Sequence, residues 1–239
     1  KGFNLGYKHK FNRYSTQIGM VAQHVDYINK ETSLGTTINQ QDRNNWHYVP
    51  MLRVGYEIQP QYEAFFEMRY SELVYDERID DQGLERSSHG YAGLIGVAFD
   101  LTELLTGDIA FGYKQRVVDD SSLSSISGMT GRIDLKWNPT PLMTVRSNIS
   151  HSIGETTQVG VSGVDIYSAR LGVEHELLRN LILSLDTSYF LNQYNGFDET
   201  SADEERKDSG YGFGFGARYL MSRYITLNLS YRLTKRNGN

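Results

Sequence analysis

The chain has 239 residues, a formal net charge of −5, a mean hydropathy of −0.48 and no cysteine. The lack of cysteine excludes a disulfide framework and a thiolate metal site, and the mild acidity disfavours a dedicated nucleic-acid binder, which would carry a basic patch. No stretch approaches the roughly 18 uninterrupted apolar residues of a membrane-spanning helix, so a helical membrane protein is excluded as well.

Two features of the composition favour β-structure. The chain contains 17 Tyr and 10 Phe, and aromatic residues are enriched in strands. It contains only 4 Pro beside 23 Gly. Proline cannot donate a hydrogen bond to a strand ladder, so a chain made mostly of paired strands should have few.

Apolar and polar residues alternate with a period of two along the whole chain, which is the pattern of strands with one apolar and one polar face. The runs cover residues 3–11, 14–22, 52–58, 62–70, 91–99, 109–113, 129–137, 143–149, 167–173, 181–189, 213–219 and 227–233. The pattern predicts about twelve strands of about ten residues, the length of a tilted membrane-spanning strand.

The connections alternate strictly between short and long. The short ones are 12–13, 59–61, 102–105, 138–141, 178–180 and 222–223, and the long polar ones are 29–44, 76–88, 119–127, 154–162 and 195–209. Bacterial outer-membrane barrels have short periplasmic turns and long extracellular loops, whereas a soluble sandwich does not sort its loops in this way. We therefore predict an all-β fold: a transmembrane antiparallel up-and-down β-barrel, one domain over residues 1–239, surrounded by outer-membrane lipid and lipopolysaccharide of a Gram-negative cell.

The same alternation of short and long connections predicts further strands beyond both ends. The first strand runs toward a short turn and the last runs away from one, so both ends point outward. Single-chain barrels normally start and finish on the periplasmic side with an even number of strands. We expect the domain to be truncated at both ends and the complete protein to have 14 or more strands.

The polar face of the predicted strands is rich in charge, and we expect it to line the lumen. The charged positions are Lys8, Lys10, Arg53, Glu57, Glu63, Glu67, Arg69, Asp108, Lys114, Arg116, Arg132, Asp134, Lys136, Arg146, Arg170, Glu174, Asp186, Arg218 and Arg232. Opposite charges could pair across strands and brace the wall, or rings of charge could tune the selectivity of a wet passage. The two interpretations are compatible, and the excess of basic residues favours anionic solutes.

The long loops are acidic instead. Their carboxylates are Asp76, Glu77, Asp80, Asp81, Glu85, Asp119, Asp120, Asp198, Glu199, Asp203, Glu204, Glu205 and Asp208. Clusters of carboxylate oxygens can bind Ca²⁺, but no loop has a regular ligand spacing. Solvated loop charge is the favoured interpretation, so we predict no metal site and no cofactor.

Two groups of residues are candidates for catalysis. Ser150-His151-Ser152 could supply a nucleophile and a base, as in outer-membrane lipases, but adjacent residues of a strand point to opposite faces. Asp119-Asp120 with His89 could serve an omptin-like protease, although nothing in the sequence fixes their geometry. We predict no catalytic site and no enzymatic activity.

Glycines recur with a period of two at Gly212, Gly214 and Gly216. A dinucleotide-binding motif would require a helix to follow, and none does. Small residues at these positions are expected to let the wall curve or let another segment approach.

Several turns resemble those of the β-barrel porin family found in bacterial exopolysaccharide and capsule export clusters. The stretch 137–142, Trp-Asn-Pro-Thr-Pro-Leu, with Ser-Ile-Gly-Glu-Thr-Thr at 152–157, is similar to a hairpin that recurs in that family, and stretches 178–181 and 219–232 resemble its other hairpins. The resemblance implies a conduit for a secreted polysaccharide, with periplasmic export proteins as partners. A general or solute-selective porin and a structural or adhesive barrel remain as alternatives, and the sequence leaves the oligomeric state open.

Overall fold

The computed structural model describes residues 1–31, 37–38, 40–79, 83–102, 104–120, 125–154, 163–195 and 206–238. Its strands are β1 Gly2–Phe11, β2 Tyr14–Val25, β3 Lys30–Glu31, β4 Thr37–Ile38, β5 Asn45–Gln59, β6 Tyr62–Tyr75, β7 Ser88–Leu101, β8 Leu105–Val118, β9 Ile126–Thr140, β10 Met143–Gly154, β11 Gly163–Leu178, β12 Leu181–Asn195, β13 Lys207–Leu220 and β14 Thr226–Gly238. A short 3-10 helix, Gln41–Arg43, precedes β5. None of the helical residues described forms a segment long and apolar enough to cross a membrane.

Twelve of these strands form one antiparallel up-and-down sheet in the order β1-β2-β5-β6-β7-β8-β9-β10-β11-β12-β13-β14. The predicted all-β fold with twelve strands is confirmed. The remaining strands, β3 and β4, have two residues each and pair with each other inside the first long loop. The alternation in the sequence could not predict that hairpin, because two residues are too few to show a period.

Most of the twelve strands in the large sheet are longer than the expected ten or so residues. These twelve run from 10 residues in β1 to 16 in β11. Strand β5 begins at Asn45, seven residues before the predicted run, and β9 continues to Thr140 through part of the predicted turn at 138–141. The extra residues lengthen the ladder of hydrogen bonds, and the turn after β9 shrinks to Pro141 and Leu142.

Three of the short turns contain a residue other than glycine with a positive φ. These residues are Asn12 at 54°, Gln61 at 75° and Thr102 at 55°. The left-handed conformation reverses the chain in a tight hairpin turn, and asparagine adopts it most readily among these residue types. A backbone hydrogen bond from Glu57 N to Arg13 O at 2.7 Å continues the pairing of β5 alongside the first turn.

The described residues bury very little apolar side chain. The buried hydrophobic residues are Ala22, Phe65, Leu94, Ala110, Ile153 and Val164. Large apolar side chains instead stand exposed at alternate strand positions, such as Phe66 at 50% and Ile95 at 51%. A soluble domain of this size would bury such residues in a core and would not expose so large an apolar surface. The apolar face therefore requires lipid.

The chain divides into two compact units. The first consists of Lys1–Glu57, Phe65–Ile95 and Gly112–Gly128, and the second of Ile58–Ala64, Gly96–Phe111 and Met129–Asn239.

In the first unit, β7 and β8 approach each other closely at a glycine. A Cβ added to Gly112 would lie 1.9 Å from the carbonyl oxygen of Gly93 and 2.7 Å from Leu94 Cα. Only a residue without a side chain fits where two backbones come so close.

Candidate functional site: the charged polar face

The register of the strands places the predicted charged residues in rows on the face opposite the exposed apolar residues. In the first unit, Lys8 pairs with Gln17, and Gln17 pairs with Arg53 on β5. Residues that are directly opposite in an antiparallel sheet point to the same face. The polar face thus follows from the alternation together with the register.

The polar face of the first unit is braced by ion pairs. Lys10 Nζ contacts Glu57 Oε2. Glu67 is buried, and its Oε1 lies 2.6 Å from Arg69 Nη2 while its Oε2 lies 3.8 Å from Arg53 Nη1. The Arg53 guanidinium carbon also lies 3.4 Å from the centroid of the Phe65 ring. A carboxylate taken out of water in this way is held by its two cations.

Two serine hydroxyl groups are among the partners of Arg116. This buried side chain donates from Nη1 to Ser88 Oγ and from Nη2 to Ser71 Oγ, both at 2.9 Å. Gly90 leaves room for it, because a Cβ there would lie 3.3 Å from both Arg116 Cβ and Ser71 Oγ. The sequence indicated the charge of Arg116 but not that hydroxyl groups would satisfy it.

The polar face of the second unit carries a longer series of pairs. Arg132 Nη2 lies 3.4 Å from Asp108 Oδ2, and its Nε lies 3.6 Å from Asp134 Oδ2. Asn148 Nδ2 donates to Asp134 Oδ1 at 2.6 Å. These contacts bring together three of the predicted charges, so the bracing interpretation holds for them.

Two further ion pairs lie nearer the short turns and are solvent-accessible. Arg146 Nη1 lies 3.0 Å from Glu174 Oε2, and Arg232 Nη2 lies 2.9 Å from Asp186 Oδ2. Exposed pairs of this kind contribute about 0–1 kcal/mol each. These two pairs therefore contribute little to the stability of the sheet.

Some predicted charges form no ion pair within the part of the chain that the structure describes. They are Lys8, Glu63, Lys136, Arg170 and Arg218. Lys114 lies on β8 two residues before Arg116, so both side chains point to the polar face. The polar face thus combines braced charges with charges that have no ion pair among the described residues.

The glycines of β13 receive the side chains of β12. A Cβ on Gly214 would lie 2.3 Å from Asp186 Oδ1, and one on Gly216 would lie 2.4 Å from Ser184 Oγ. A Cβ on Gly212 would lie 2.7 Å from Ser188 Oγ, and one on Gly210 would lie 2.4 Å from the Phe190 ring. These small residues therefore make room for side chains of the neighbouring strand, β12. We call Gly210, Gly212, Gly214 and Gly216 the glycine track.

A cavity of about 650 Å³ opens on the polar face of the second unit. Its lining includes the charged residues Asp134, Lys136, Arg146, Arg170, Asp186 and Arg232, together with Asn148, Ser168, Ser188 and Phe190. Gly172 forms part of the lining, and no atom lies within 4 Å of a Cβ added there. Six residues of the predicted polar face are thereby brought to one recess, which the sequence alone could not indicate.

Three histidines near the long-loop ends of their strands share one arrangement that the sequence analysis missed. His24 Nε2 lies 3.0 Å from Asp76 Oδ2, and its ring lies 4.7 Å from Trp46. The other two sets are His89 with Asp119 at 3.5 Å and Tyr91 at 6.4 Å between ring centroids, and His151 with Asp165 at 2.9 Å and Tyr167 at 4.3 Å. The register pairs His24 with Trp46 and His151 with Tyr167, so these rings lie on the apolar face.

These contacts also place the candidate catalytic residues. His151 pairs with Tyr167 and Ser152 with Ile166, so the two side chains point to opposite faces, as the alternation predicted. Ser150 Oγ lies 2.8 Å from Ser168 Oγ on the polar face. His89 does meet Asp119, and the backbone N–H of Glu85 donates to Asp120 Oδ2 at 3.0 Å.

The acidic loops are described only in part. Asp80, Asp81, Asp198, Glu199, Asp203, Glu204, Glu205 and the hairpin residues Glu155, Thr156 and Thr157 lie outside the described residues. Among the residues that are described, Arg78 Nε lies 3.1 Å from Glu85 Oε1. No group of three or more His, Asp or Glu side chains in these described segments is arranged to hold a metal ion.

Asp208 is the one carboxylate of β13, and it is enclosed by its partners. It is buried, and it accepts hydrogen bonds from Arg236 Nη2 at 2.9 Å, Arg206 Nη2 at 3.2 Å and the Tyr194 hydroxyl at 3.2 Å. The sequence analysis assigned Asp208 to a solvated loop. It lies instead in β13, at the start of the strand, because its partners on β12 and β14 draw it into the sheet.

We expect Asp208→Ala to lower the free energy of unfolding by about 2 kcal/mol, because it leaves two neighbouring guanidinium groups without their shared acceptor. The midpoint of urea unfolding, followed by tryptophan fluorescence, measures the effect. Asp186→Ala is the matched control, since its pair with Arg232 is exposed and should cost no more than about 1 kcal/mol. Equal losses in the two variants would contradict the role given to Asp208.

The up-and-down sheet, its exposed apolar face and its charged polar face are those of an outer-membrane β-barrel. The sequence matches the family described as "Putative beta-barrel porin 2" over residues 1–239, and the chain belongs to that family. The predicted β-barrel porin family, without its association with polysaccharide export, and the outer-membrane location are thereby confirmed. No curated protein sequence matches the chain.

Solved structures with the same fold are outer-membrane transporters. The FrpB iron transporter from Neisseria meningitidis (F3-3 variant) is similar with a TM-score of 0.60 and 11% identity, over 98% of this chain and 43% of that one. The ferric yersiniabactin uptake receptor FyuA from Yersinia pestis is similar with a TM-score of 0.52 and 12% identity, over 99% of this chain and 42% of that one. At such identities the similarity concerns the fold alone, and the chain spans about two fifths of the length of these proteins.

Proposed function

We propose that the polar face lines a water-filled passage across the outer membrane and that the passage carries a secreted polysaccharide. The observation that supports a passage is the polar face itself. It combines braced ion pairs with charges such as Lys136 and Arg170 that have no ion pair among the described residues. Charges on the lumen side of a barrel wall tune what a passage admits.

The polysaccharide is supported by two observations. The turns at 137–142 and 219–232 resemble those of porins from exopolysaccharide and capsule export clusters. The cavity of the second unit presents hydroxyl, amide and charged groups beside two aromatic residues, Tyr189 and Phe190. A sugar chain, with many hydroxyl groups and apolar ring faces, matches such a lining better than an apolar solute does.

Conductance in planar bilayers tests the passage. The full-length protein should give discrete conductance steps. Because the predicted polar face carries twelve basic and seven acidic positions, its reversal potential in a salt gradient should show a preference for anions. A protein that stays closed even after deletion of its long loops would contradict the passage. Cation selectivity would contradict the role assigned to the basic excess.

Deletion of the gene tests the polysaccharide. The deletion strain should retain polymer in the periplasm and lose it from the surface, and expression of the protein from a plasmid should restore it. The deletion strain could instead have normal surface polysaccharide although the protein conducts in bilayers. That result would contradict export and would support solute diffusion, the alternative function of a porin.

A further inference from the structure

The cavity of the second unit carries two kinds of polar group whose combination is informative. Arg146 and Arg232 are each paired with a carboxylate, Glu174 and Asp186, at 3.0 and 2.9 Å. Lys136 and Arg170 line the same cavity and form no ion pair within the described part of the chain. The cavity therefore has a surplus of positive charge located on those two side chains.

We propose that this cavity binds one segment of an acidic polysaccharide, with Lys136 and Arg170 holding the anionic group of a sugar residue. The inference rests on the proposed function, because it assigns a sugar class to the same passage. The shared chemistry is a carboxylate or phosphate on a hydroxyl-bearing ring. Arginine binds either anion through two parallel N–H groups, and lysine binds it as a point charge.

The two cations can reach one anion. Lys136 pairs with Arg146 across β9 and β10, and Arg170 pairs with Asn148 across β10 and β11, one row further along the same face. Strand spacing and residue rise put the Cα atoms of Lys136 and Arg170 about 12 Å apart. Both side chains are long and lie on solvent-exposed residues, so their charged groups can converge over β10.

Space for the sugar is provided at Gly172. This residue pairs with Arg146 on one side and Asp186 on the other, and no atom lies within 4 Å of a Cβ added to it. The row thus has a gap between two charged side chains. The cavity volume of about 650 Å³ lies within the range of about 300–1,000 Å³ that small-molecule sites occupy, and it far exceeds the space needed by an isolated anion.

The acceptors in the lining distinguish an acidic sugar from a simple anion. Asp134 and Asp186 would repel an anion that has no donors, whereas they can accept hydrogen bonds from sugar hydroxyl groups. Asn148 and Ser188 add both hydrogen-bond donors and hydrogen-bond acceptors to the lining. Phe190, whose ring lies over Gly210 of the glycine track, offers an apolar surface to the face of a sugar ring. A ligand that uses all these groups has both hydroxyl groups and a negative charge.

Calorimetric binding to the full-length protein in detergent, at low salt, tests the proposal. The probes are hexagalacturonate, the neutral maltohexaose, and the monomers galacturonate and glucose 6-phosphate. We expect hexagalacturonate to bind at least tenfold more tightly than maltohexaose. The monomer that binds more tightly identifies the anionic group as carboxylate or phosphate. Equal binding of the acidic and the neutral hexamer would overturn the proposal.

Variants locate the site. Arg170→Gln and Lys136→Gln should each weaken hexagalacturonate binding about tenfold, and Gly172→Leu should weaken it by filling the recess. Arg218→Gln is the matched control, because Arg218 lies on the same face, forms no ion pair among the described residues and does not line the cavity. A loss with Arg218→Gln equal to that with Arg170→Gln would overturn the site in favour of a general field effect. Urea midpoints confirm that each variant is folded.

The outcomes separate this proposal from the passage. Conductance steps without preference for the acidic hexamer would contradict the cavity and leave the passage standing. Binding that depends on Arg170 in a protein that never conducts would contradict the passage and support the cavity.

Discussion

Replacement of Gly112 by valine should abolish folding of the barrel. The first atom of any side chain at this position would lie 1.9 Å from the Gly93 carbonyl oxygen and 2.7 Å from Leu94 Cα, and both are backbone atoms. A flexible side chain could turn away, but here β7 and β8 themselves must separate. Overpacking of a well-packed site costs about 1–3 kcal/mol, and separation of two backbones should exceed that range and break the ladder between the strands.

The fraction of folded protein after refolding into detergent, read from the heat-dependent mobility of the barrel in gels, measures this effect. Gly172→Val is the matched control, because it is also a glycine of the polar face but has no atom within 4 Å of the added Cβ. It should fold as the parent chain does. Folding of Gly112→Val with an unchanged urea midpoint would mean that β7 and β8 separate at little cost.

Glu67→Leu should lower the free energy of unfolding by about 3 kcal/mol. Loss of one partner from a buried ion pair costs about 3–5 kcal/mol, because the remaining charge stays out of water. We expect the lower end of that range, since the Arg69 side chain is 42% exposed and can turn toward solvent. Arg53, at 15% exposure and stacked on Phe65, cannot do so as easily.

The urea midpoint measures this loss as well. Glu63→Gln is the comparison, since Glu63 lies on the same strand and face, four residues away, and forms no ion pair among the described residues. A change within about 0.5 kcal/mol is expected there, as for most surface substitutions. If Glu67→Leu instead stabilised the protein, the ion pairs of the first unit would serve specificity or conduction alone.

The strands and their faces could be predicted because a strand shows its orientation locally. Every second residue of a stretch such as 62–70 meets lipid, so the period of two appears within a few residues. The rhythm of short and long connections is also local, and it distinguished a membrane barrel from a sandwich. Strand ends were harder to predict. Pro139 looked like part of a turn, yet β9 continues through it to Thr140.

The site could be predicted only as a set of charges on one face. Which charges meet depends on register, and register joins residues that are far apart in sequence. Arg236 reaches Asp208 across 28 residues, and His24 reaches Asp76 across 52. The cavity depends further on an empty position, Gly172, whose importance is visible only when its neighbours on β10 and β12 are known.

The histidines that meet a carboxylate and an aromatic ring also bear on the thickness of the membrane that holds the protein. On β2, ten residue steps separate Tyr14, beside the short turn, from His24, where the apolar face ends. At about 3.3 Å per residue and a tilt of about 40°, this length covers about 25 Å along the membrane normal. The His24 level therefore marks the upper boundary of the hydrocarbon layer. Because about 25 Å is the usual height of the apolar band of outer-membrane barrels, a thicker bilayer would submerge the contact between His24 and Asp76.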